Sequence, residues 1–314
     1  MVFFLLLLIF ITTFPLYGGA YDIRVMTTVL MYVVMAVSWA LFSGSTGYMS
    51  LAPAAFFGIG IYTMAFLQET LPFHIIIVVG GLLSFAFALL VGLVTLRLKG
   101  IYFAIFTFGL VVFMSEIIYY MESQLGQTRG RSIIPLDSHM LLYTMLGLVV
   151  ATLLTIYFIR RSRYGLALLS IGGNEEAAAH MGVNTTRVKV IFFAISTIFM
   201  GAAGVVTAPA LMYIDNRIAF SLFYSFMPIL MAVFGGMGQF YGPVVGAVIF
   251  GYLEKTLRLQ LQSYFMLTFG IILVVVILFL PNGIAGLVPM LQGKLRGAIA
   301  KLRKGGEAEQ HANT

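Results

Sequence analysis

Long apolar blocks, separated by short polar or glycine-rich stretches, run along almost the whole chain. A helix needs roughly 20 apolar residues to cross a hydrocarbon core of about 30 Å, because each residue adds about 1.5 Å. Counted in this way, the pattern predicts about ten spanning or partly spanning helices. They cover residues 3–17, 26–42, 51–67, 73–96, 101–120, 140–159, 190–211, 221–234, 240–256 and 263–280. The expected fold class is therefore an all-α polytopic membrane protein.

Two of these blocks need a separate interpretation. Residues 221–234 supply only about 21 Å of helix, which is too short to cross the core unaided. They are predicted to form a re-entrant or broken element whose loose backbone is covered by protein or faces water. Residues 3–17 look like a secretory signal, but no basic residue precedes them, so we expect a retained first span.

Composition supports the membrane interpretation and excludes several functional classes. Hydrophobic residues make up 61% of the 314 residues and charged residues 9%, more apolar surface than a soluble domain can bury. The net charge of +7 lies in short tracts beside apolar blocks, which favours topology signals and lipid contact over nucleic-acid binding. The chain has no Cys, no phosphate-binding loop and no catalytic constellation. We therefore expect neither an enzyme nor a metal site.

The basic residues also predict an orientation. If both termini are cytoplasmic, twelve of the 18 Lys and Arg residues fall in the inside loops and the tail. This bias agrees with the preference of cytoplasmic loops for Lys and Arg. We expect a membrane domain over residues 1–290, with a cytoplasmic loop at 160–189, followed by a basic and then polar tail at 291–314.

The loop at residues 160–189 is the main polar interruption between apolar blocks. A bare connection between spans needs only a few residues, so a loop of this length indicates a function. Glu176, Ala177 and Ala178 favour a helix, and Gly182 suits its left-handed end. The pattern predicts a short docking helix at the cytoplasmic face.

Glycine-rich stretches at 42–62 and 234–252 are the first candidates for a translocation path. Glycine and proline in membrane helices allow close packing, kinks and exposed carbonyls, so tight helix packing remains an alternative at each position. The candidate path residues are Ser50, Pro53, Gly58, Gly60, Gly235 and Gly236, together with Glu116. An ionised Glu116 at the bilayer centre would cost about 2.5–3.5 kcal/mol, so it should contact protein, water or the interface.

Five stretches resemble the membrane permeases of ABC importers for branched-chain amino acids. They are GYMSLAPAAFFGIGIY (47–62), LRLKGIYFAIFTFGL (96–110), the loop at 160–189, GGMGQFYGPVVGA (235–247) and LFLPNGIAGL (278–287). Their order along the chain matches that of the family. The loop departs from many relatives, because Leu166, Leu169 and Gly172 replace basic residues. That difference weakens the electrostatic part of the resemblance.

The resemblance implies an ABC importer permease fold that moves branched-chain amino acids across the bacterial inner membrane by alternating access. The implied partners are a sister permease in a heterodimer, two cytoplasmic ATPase subunits, a periplasmic substrate-binding protein and the lipid bilayer. ATP and Mg would be bound by the ATPase subunits, and this chain would hold no cofactor. The implied ATPase-coupling residues are Glu175, Glu176, Ala177, Ala178, Gly182 and Arg187.

Other functions remain open. The string IGGNEEAA (171–178) also resembles sugar permeases of the same superfamily, and urea or a short amide would suit the same architecture. A self-sufficient channel or secondary carrier is disfavoured by the docking loop and by the scarcity of charges within the spans. Charges at the predicted outer ends are candidates for docking a binding protein: Asp22 with Arg24, Asp215 with Arg217, and Glu254 with Lys255 and Arg258.

Overall fold

The computed structural model describes residues 19–124, 130–239 and 241–260, and the single positions 267, 268, 270, 271, 274 and 283. The helices are α1 (Ala20–Trp39), α2 (Pro53–Leu67), α3 (Phe73–Thr95), α4 (Ile101–Gln124), α5 (Ser138–Arg161), α6 (Arg163–Gly173), α7 (Glu175–His180), α8 (Thr185–Leu211), α9 (Asn216–Ala219), α10 (Phe223–Gly235) and α11 (Gly242–Gln260). A π-helical turn (Ala40–Gly44) continues α1, and two short strands, β1 (Arg131–Ser132) and β2 (Tyr213–Ile214), pair antiparallel.

Within these ranges, six helical stretches are long and apolar enough to cross a membrane. They are Ala20–Gly44, Phe73–Thr95, Ile101–Gln124, Ser138–Arg161, Thr185–Leu211 and Asn216–Gly235. The multi-pass membrane protein is thus confirmed, whereas the expected count of about ten spans is not. The segments predicted at 3–17 and 263–280, the motif at 278–287 and the tail at 291–314 fall outside the described residues, apart from the single positions given above.

Three predicted segments have different bounds or lengths in the structure. Helix α2 has only 15 residues, because the preceding residues 47–52 are not helical. Helix α11 extends to Gln260 and includes three charged residues, so it is not among the six membrane-crossing candidates. The short block at 221–234 corresponds to the 13-residue helix α10, which follows the 4-residue α9 after three non-helical residues. The stretch Asn216–Gly235 that contains both helices has 20 residues.

Helices α1 and α8 form the centre of the fold. In the most apolar stretches of these two helices, 89% and 72% of the residues are buried, compared with 22% in α4. Helix α8 packs against α2 and α3, while α1 packs against α5, α8 and α11. Helix α4 leaves apolar side chains such as Ile105 and Phe113 exposed. A helix that is apolar on all sides suits either position, because lipid and protein are both apolar surroundings.

Glycines bring the backbones of α2, α3 and α8 into direct contact. A Cβ atom on Gly60 of α2 would overlap the carbonyl group of Gly201 on α8. A Cβ on Gly204 would likewise overlap the carbonyl oxygen of Phe57. Small residues allow membrane helices to approach this closely, where dispersion and packing replace the hydrophobic effect. The tight contact therefore depends on glycine at these positions.

Candidate functional site

The polar loop folds into two short helices rather than the single one predicted. Asn174 separates α6 from α7 and caps α7, because its Oδ1 accepts a hydrogen bond from the Ala177 N–H at 3.0 Å. Gly182 follows α7 with φ = 87°, a left-handed conformation that suits glycine. Helix α8 then begins at Thr185, five residues before the predicted start of the next span.

The predicted coupling residues divide between an exposed and a buried face of this loop. Glu176, Ala177, Gly182 and Arg187 are exposed, as is Met181, whose side chain is 71% exposed. Ala178 is buried and Glu175 is partly buried. Helix α6 has the same division. Its exposed apolar side chains are those of Tyr164, Leu166 and Leu169, and its buried residues are Gly165, Leu168 and Ile171.

Glu175 belongs to a buried polar cluster that the sequence did not reveal. Lys189, only 3% exposed, places its Nζ 2.6 Å from Glu175 Oε1 and donates hydrogen bonds to the Tyr48 hydroxyl at 3.0 Å and the Leu96 carbonyl oxygen at 3.2 Å. The Tyr48 hydroxyl donates to Glu175 Oε2 at 2.5 Å. We call Tyr48, Glu175 and Lys189 the Lys189 cluster. In the sequence, Lys189 is the last basic residue of the loop at 160–189, and its position directly before the apolar run that begins at residue 190 is the signal of burial.

The cluster keeps the Glu175 carboxylate ionised. Burial by itself raises the pKa of this carboxyl, but hydrogen bonds from Lys189 and Tyr48 outweigh that effect. The resulting pKa lies below its ordinary value. A charged pair removed from water is stable only when further hydrogen bonds complete its coordination. Tyr48 and the Leu96 carbonyl supply those bonds here.

Residues 47–52 form an unwound segment between the π-helical turn and α2. Unwound backbone at membrane depth must find hydrogen-bond partners within the protein. The Leu51 N–H donates to Thr107 Oγ1 of α4 at 2.9 Å, and the Leu51 carbonyl accepts from Ser225 Oγ of α10 at 2.9 Å. The Ser50 carbonyl accepts from Trp39 Nε1 at 2.8 Å. Side chains from three helices therefore hold the segment in place.

The predicted path residues other than Glu116 lie in packed contacts in this conformation. Ser50 and Pro53 line an enclosed cavity of about 10 Å³, enough for roughly one water molecule. A Cβ on Gly58 would meet the ring of Phe220, and Gly60 packs on α8 as described above. Gly235 and Gly236 pack against Gly242 at the start of α11. Ser50 and Pro53 share the enclosed cavity, whereas Gly235 and Gly236 are not among its lining residues.

Helix α4 carries a buried carboxylate, Glu122, that was not among the predicted site residues. Glu116 is exposed, whereas Glu122 is 4% exposed. It accepts a hydrogen bond from the Tyr62 hydroxyl at 3.2 Å and lies 3.5 Å from the Gly130 N–H. The span predicted from the sequence ends at residue 120, but α4 continues to Gln124. That error in the helix end is why Glu122 was missed.

Charged residues that are distant in sequence lie close together at the end of the molecule opposite the polar loop. Arg24, Arg217, Glu254, Lys255 and Arg258 all line one open cavity of about 870 Å³. Glu254 is buried and accepts a hydrogen bond from Arg258 Nε at 2.8 Å. Val25, Val29, Leu141 and Leu211 contribute an apolar part of the lining. The structure thus joins members of all three charged groups predicted at outer ends into a single surface.

Known proteins similar to this chain are transport permeases. Residues 23–278 match the family described as branched-chain amino acid transport system, permease component. The LivM permease protein of Salmonella typhimurium is 27% identical over 312 residues, which cover 88% of this chain and 72% of the relative. The LivH permease protein of the same organism is 29% identical over 157 residues, or 49% of each chain.

A sugar permease matches a smaller part of the chain. The ribose import permease RbsC of Haemophilus influenzae is 27% identical over 128 residues, or 39% of this chain and 40% of the relative. No solved structure matches the chain significantly. The family match, in contrast, covers most of the chain, including the unwound segment, the Lys189 cluster and both helices of the polar loop. This protein therefore belongs to the family of permease components of branched-chain amino acid transport systems, and it is a transport subunit rather than an enzyme.

Proposed function

We propose that the chain is one of two permeases in an ATP-driven importer of branched-chain amino acids in the bacterial inner membrane. Two ATPase subunits would bind and hydrolyse ATP with Mg, and a periplasmic binding protein would deliver the cargo. Similarity to both LivM and LivH supports pairing with a sister permease. Uptake by alternating access follows if the closing ATPase subunits move the two permeases against each other.

The exposed face of α6 and α7 is the observation that carries this proposal. Glu176, Ala177 and Met181 are exposed on the polar loop, and Leu166 and Leu169 add apolar surface on α6. Exposed apolar side chains within a polar loop are typical of a protein interface. We infer that this face seats in a groove of the ATPase, with Gly182 and Arg187 at its edge. The opposite face, with Ala178 and Glu175, holds the loop on the membrane helices.

The opposite end of the molecule suits the docking of a binding protein. The Arg24 and Arg217 side chains have no acidic partner within the described residues, and both face the open cavity. Acidic groups on a partner protein would complement them. This end lies at the N-terminus of α5, whereas α7 follows the C-terminus of α5, so docking and ATPase contact occur on opposite sides of the membrane.

The path itself is proposed to pass beside the unwound segment, near Ser50 and Pro53. Broken helices at membrane depth occur where backbone lines a cavity or is covered by protein. In this conformation protein covers it, so the permease would have to rearrange to let cargo pass. Gly58, Gly60, Gly235 and Gly236 would keep the adjoining helices close while they move.

A single-cysteine cross-linking experiment tests the ATPase contact. The native chain has no Cys, so Met181→Cys supplies the only thiol. Combined with single-cysteine ATPase subunits in the assembled complex, it should cross-link to the groove. Ile134→Cys, also at an exposed apolar residue but at the other end of α5, is the matched control. Absence of a cross-link from Met181→Cys to any groove position would refute the proposed contact.

Gly182 provides a functional test of the same loop. Gly182→Ala forces an alanine into a left-handed conformation, whereas Gly173→Ala adds a methyl group to open space without that strain. Gly182→Ala should lower uptake more than it lowers ATP hydrolysis, and Gly173→Ala should change neither. Equal behaviour of the two variants in the reconstituted complex would contradict a coupling role for the end of α7.

A further inference from the structure

The polar loop contacts the chain just after the π-helical turn that continues α1. The two contacts are at Ser45 and Tyr48. A Cβ on Gly172 of α6 would overlap the carbonyl oxygen of Ser45, so these backbones are in direct contact. Three residues later along each chain segment, Glu175 accepts a hydrogen bond from Tyr48. The loop therefore rests on residues 45–48, which lead directly into the unwound segment.

Lys189 fixes the second of these contacts from α8. Its ammonium group donates to Glu175, to Tyr48 and to the Leu96 carbonyl at the end of α3, which uses all three of its N–H donors. Because the group is 3% exposed, water does not replace any of these partners. Glu175 can move away only if Tyr48 and Lys189 move with it or if a buried charge loses its partner, which is strongly unfavourable.

The unwound segment connects Tyr48 to other helices through hydrogen bonds. Three residues after Tyr48, Leu51 bonds to Thr107 of α4 and to Ser225 of α10. Ser225 also accepts a hydrogen bond from the Ala54 N–H in the first turn of α2. A displacement at Tyr48 thus reaches three membrane helices within six residues of chain.

We propose that Tyr48 transmits the movement of α7 to the unwound segment, and that Lys189 is the positioning residue that keeps Glu175 and Tyr48 joined. The inference rests on the proposed contact between α7 and the ATPase. In this arrangement Glu175 faces inward as the anchor of the coupling loop, while Glu176 and Met181 face the ATPase. The unwound segment is then the moving part that links ATP hydrolysis to the path.

The experiment uses the whole complex reconstituted in vesicles, with the loaded binding protein on one side. Tyr48→Phe removes one hydroxyl and keeps the ring, so it preserves packing against Phe103. Tyr102→Phe, at an exposed tyrosine in the first turn of α4, is its matched control. Lys189→Met removes the buried ammonium group, and Arg97→Met, which removes a basic group from an exposed side chain, is its matched control.

Uptake and ATP hydrolysis are measured per assembled complex. Tyr48→Phe and Lys189→Met should hydrolyse ATP in response to the binding protein but import less cargo for each ATP, by about fivefold or more, the lower end of couplings between separate sites. The two controls should keep the normal ratio. A merely structural role would lower the amount of complex and leave this ratio unchanged.

The outcomes separate the inference from the proposed function. If Met181→Cys cross-links to the ATPase and Tyr48→Phe keeps the normal ratio of uptake to hydrolysis, transmission through Tyr48 is refuted while the α7 contact stands. If Met181→Cys does not cross-link, the proposed contact between α7 and the ATPase is refuted, and the inference that rests on it is refuted as well. Should Lys189→Met fail to assemble, Tyr48→Phe alone decides, because it leaves the Lys189–Glu175 ion pair in place.

Discussion

Replacement of Gly60 by alanine is the sharpest test of the packing found here. The new methyl group would overlap the carbonyl of Gly201, which is backbone and cannot rotate away. Helix α8 cannot withdraw easily, because Gly201 also faces Ser84 and Gly80 of α3 at close contact. The two helices must therefore separate, and the contacts of α8 with both neighbours are weakened.

The expected change in the free energy of unfolding of Gly60→Ala follows from two opposing effects. Alanine favours a helix over glycine by about 1 kcal/mol, measured in water. Overpacking a tight contact costs about 1–3 kcal/mol, and more where backbone meets the new atom. Because the overlapped atoms are backbone and α3 packs closely on the other side of Gly201, we expect a net loss of about 1–2 kcal/mol, or roughly 5- to 30-fold in the ratio of folded to unfolded protein.

Gly109→Ala is the matched control, because Gly109 lies in the middle of apolar α4 and a Cβ there would meet nothing within 4 Å. Thermal unfolding of the purified complex in detergent and abundance in the membrane provide the measurements. Gly60→Ala should unfold at a lower temperature than wild type, and Gly109→Ala should match or exceed it. Equal midpoints for the two variants would refute the backbone contact between α2 and α8.

Two further predictions concern acid stability and orientation. The pKa of Glu175 is lowered in the fold, so its stabilising effect is complete above the ordinary pKa of 4.5 and is lost as the pH falls through the folded value. The difference in unfolding midpoint between wild type and Glu175→Gln should therefore be constant above pH 4.5 and shrink below it; a difference that grows in acid would contradict the sign. Labelling of Met181→Cys by a membrane-impermeant thiol reagent should require access from the cytoplasm, whereas Ile134→Cys should react from the periplasm. Reaction of Met181→Cys from the periplasm would reverse the orientation.

The sequence determined the class of protein and the position of its polar loop. A soluble domain cannot bury this many apolar blocks of spanning length, so most of their surface must face lipid. The helix formers before Gly182 and the left-handed preference of glycine are local effects, so the end of α7 was predictable. The length of the apolar block at 221–234 likewise predicted a helix too short to cross the membrane alone, and α10 has 13 residues.

Which side chains are buried was decided by the tertiary structure alone. Sequence periodicity could not show that Lys189 is enclosed, because its partners Tyr48 and Leu96 lie 141 and 93 residues away along the chain. Nor could it separate Glu122 from Glu116, since both lie on one helix and the neighbours of Glu122 include Tyr62, which is 60 residues away along the chain. A charge is tolerated out of water only where distant elements supply its partners, and those partners meet only when the helices pack.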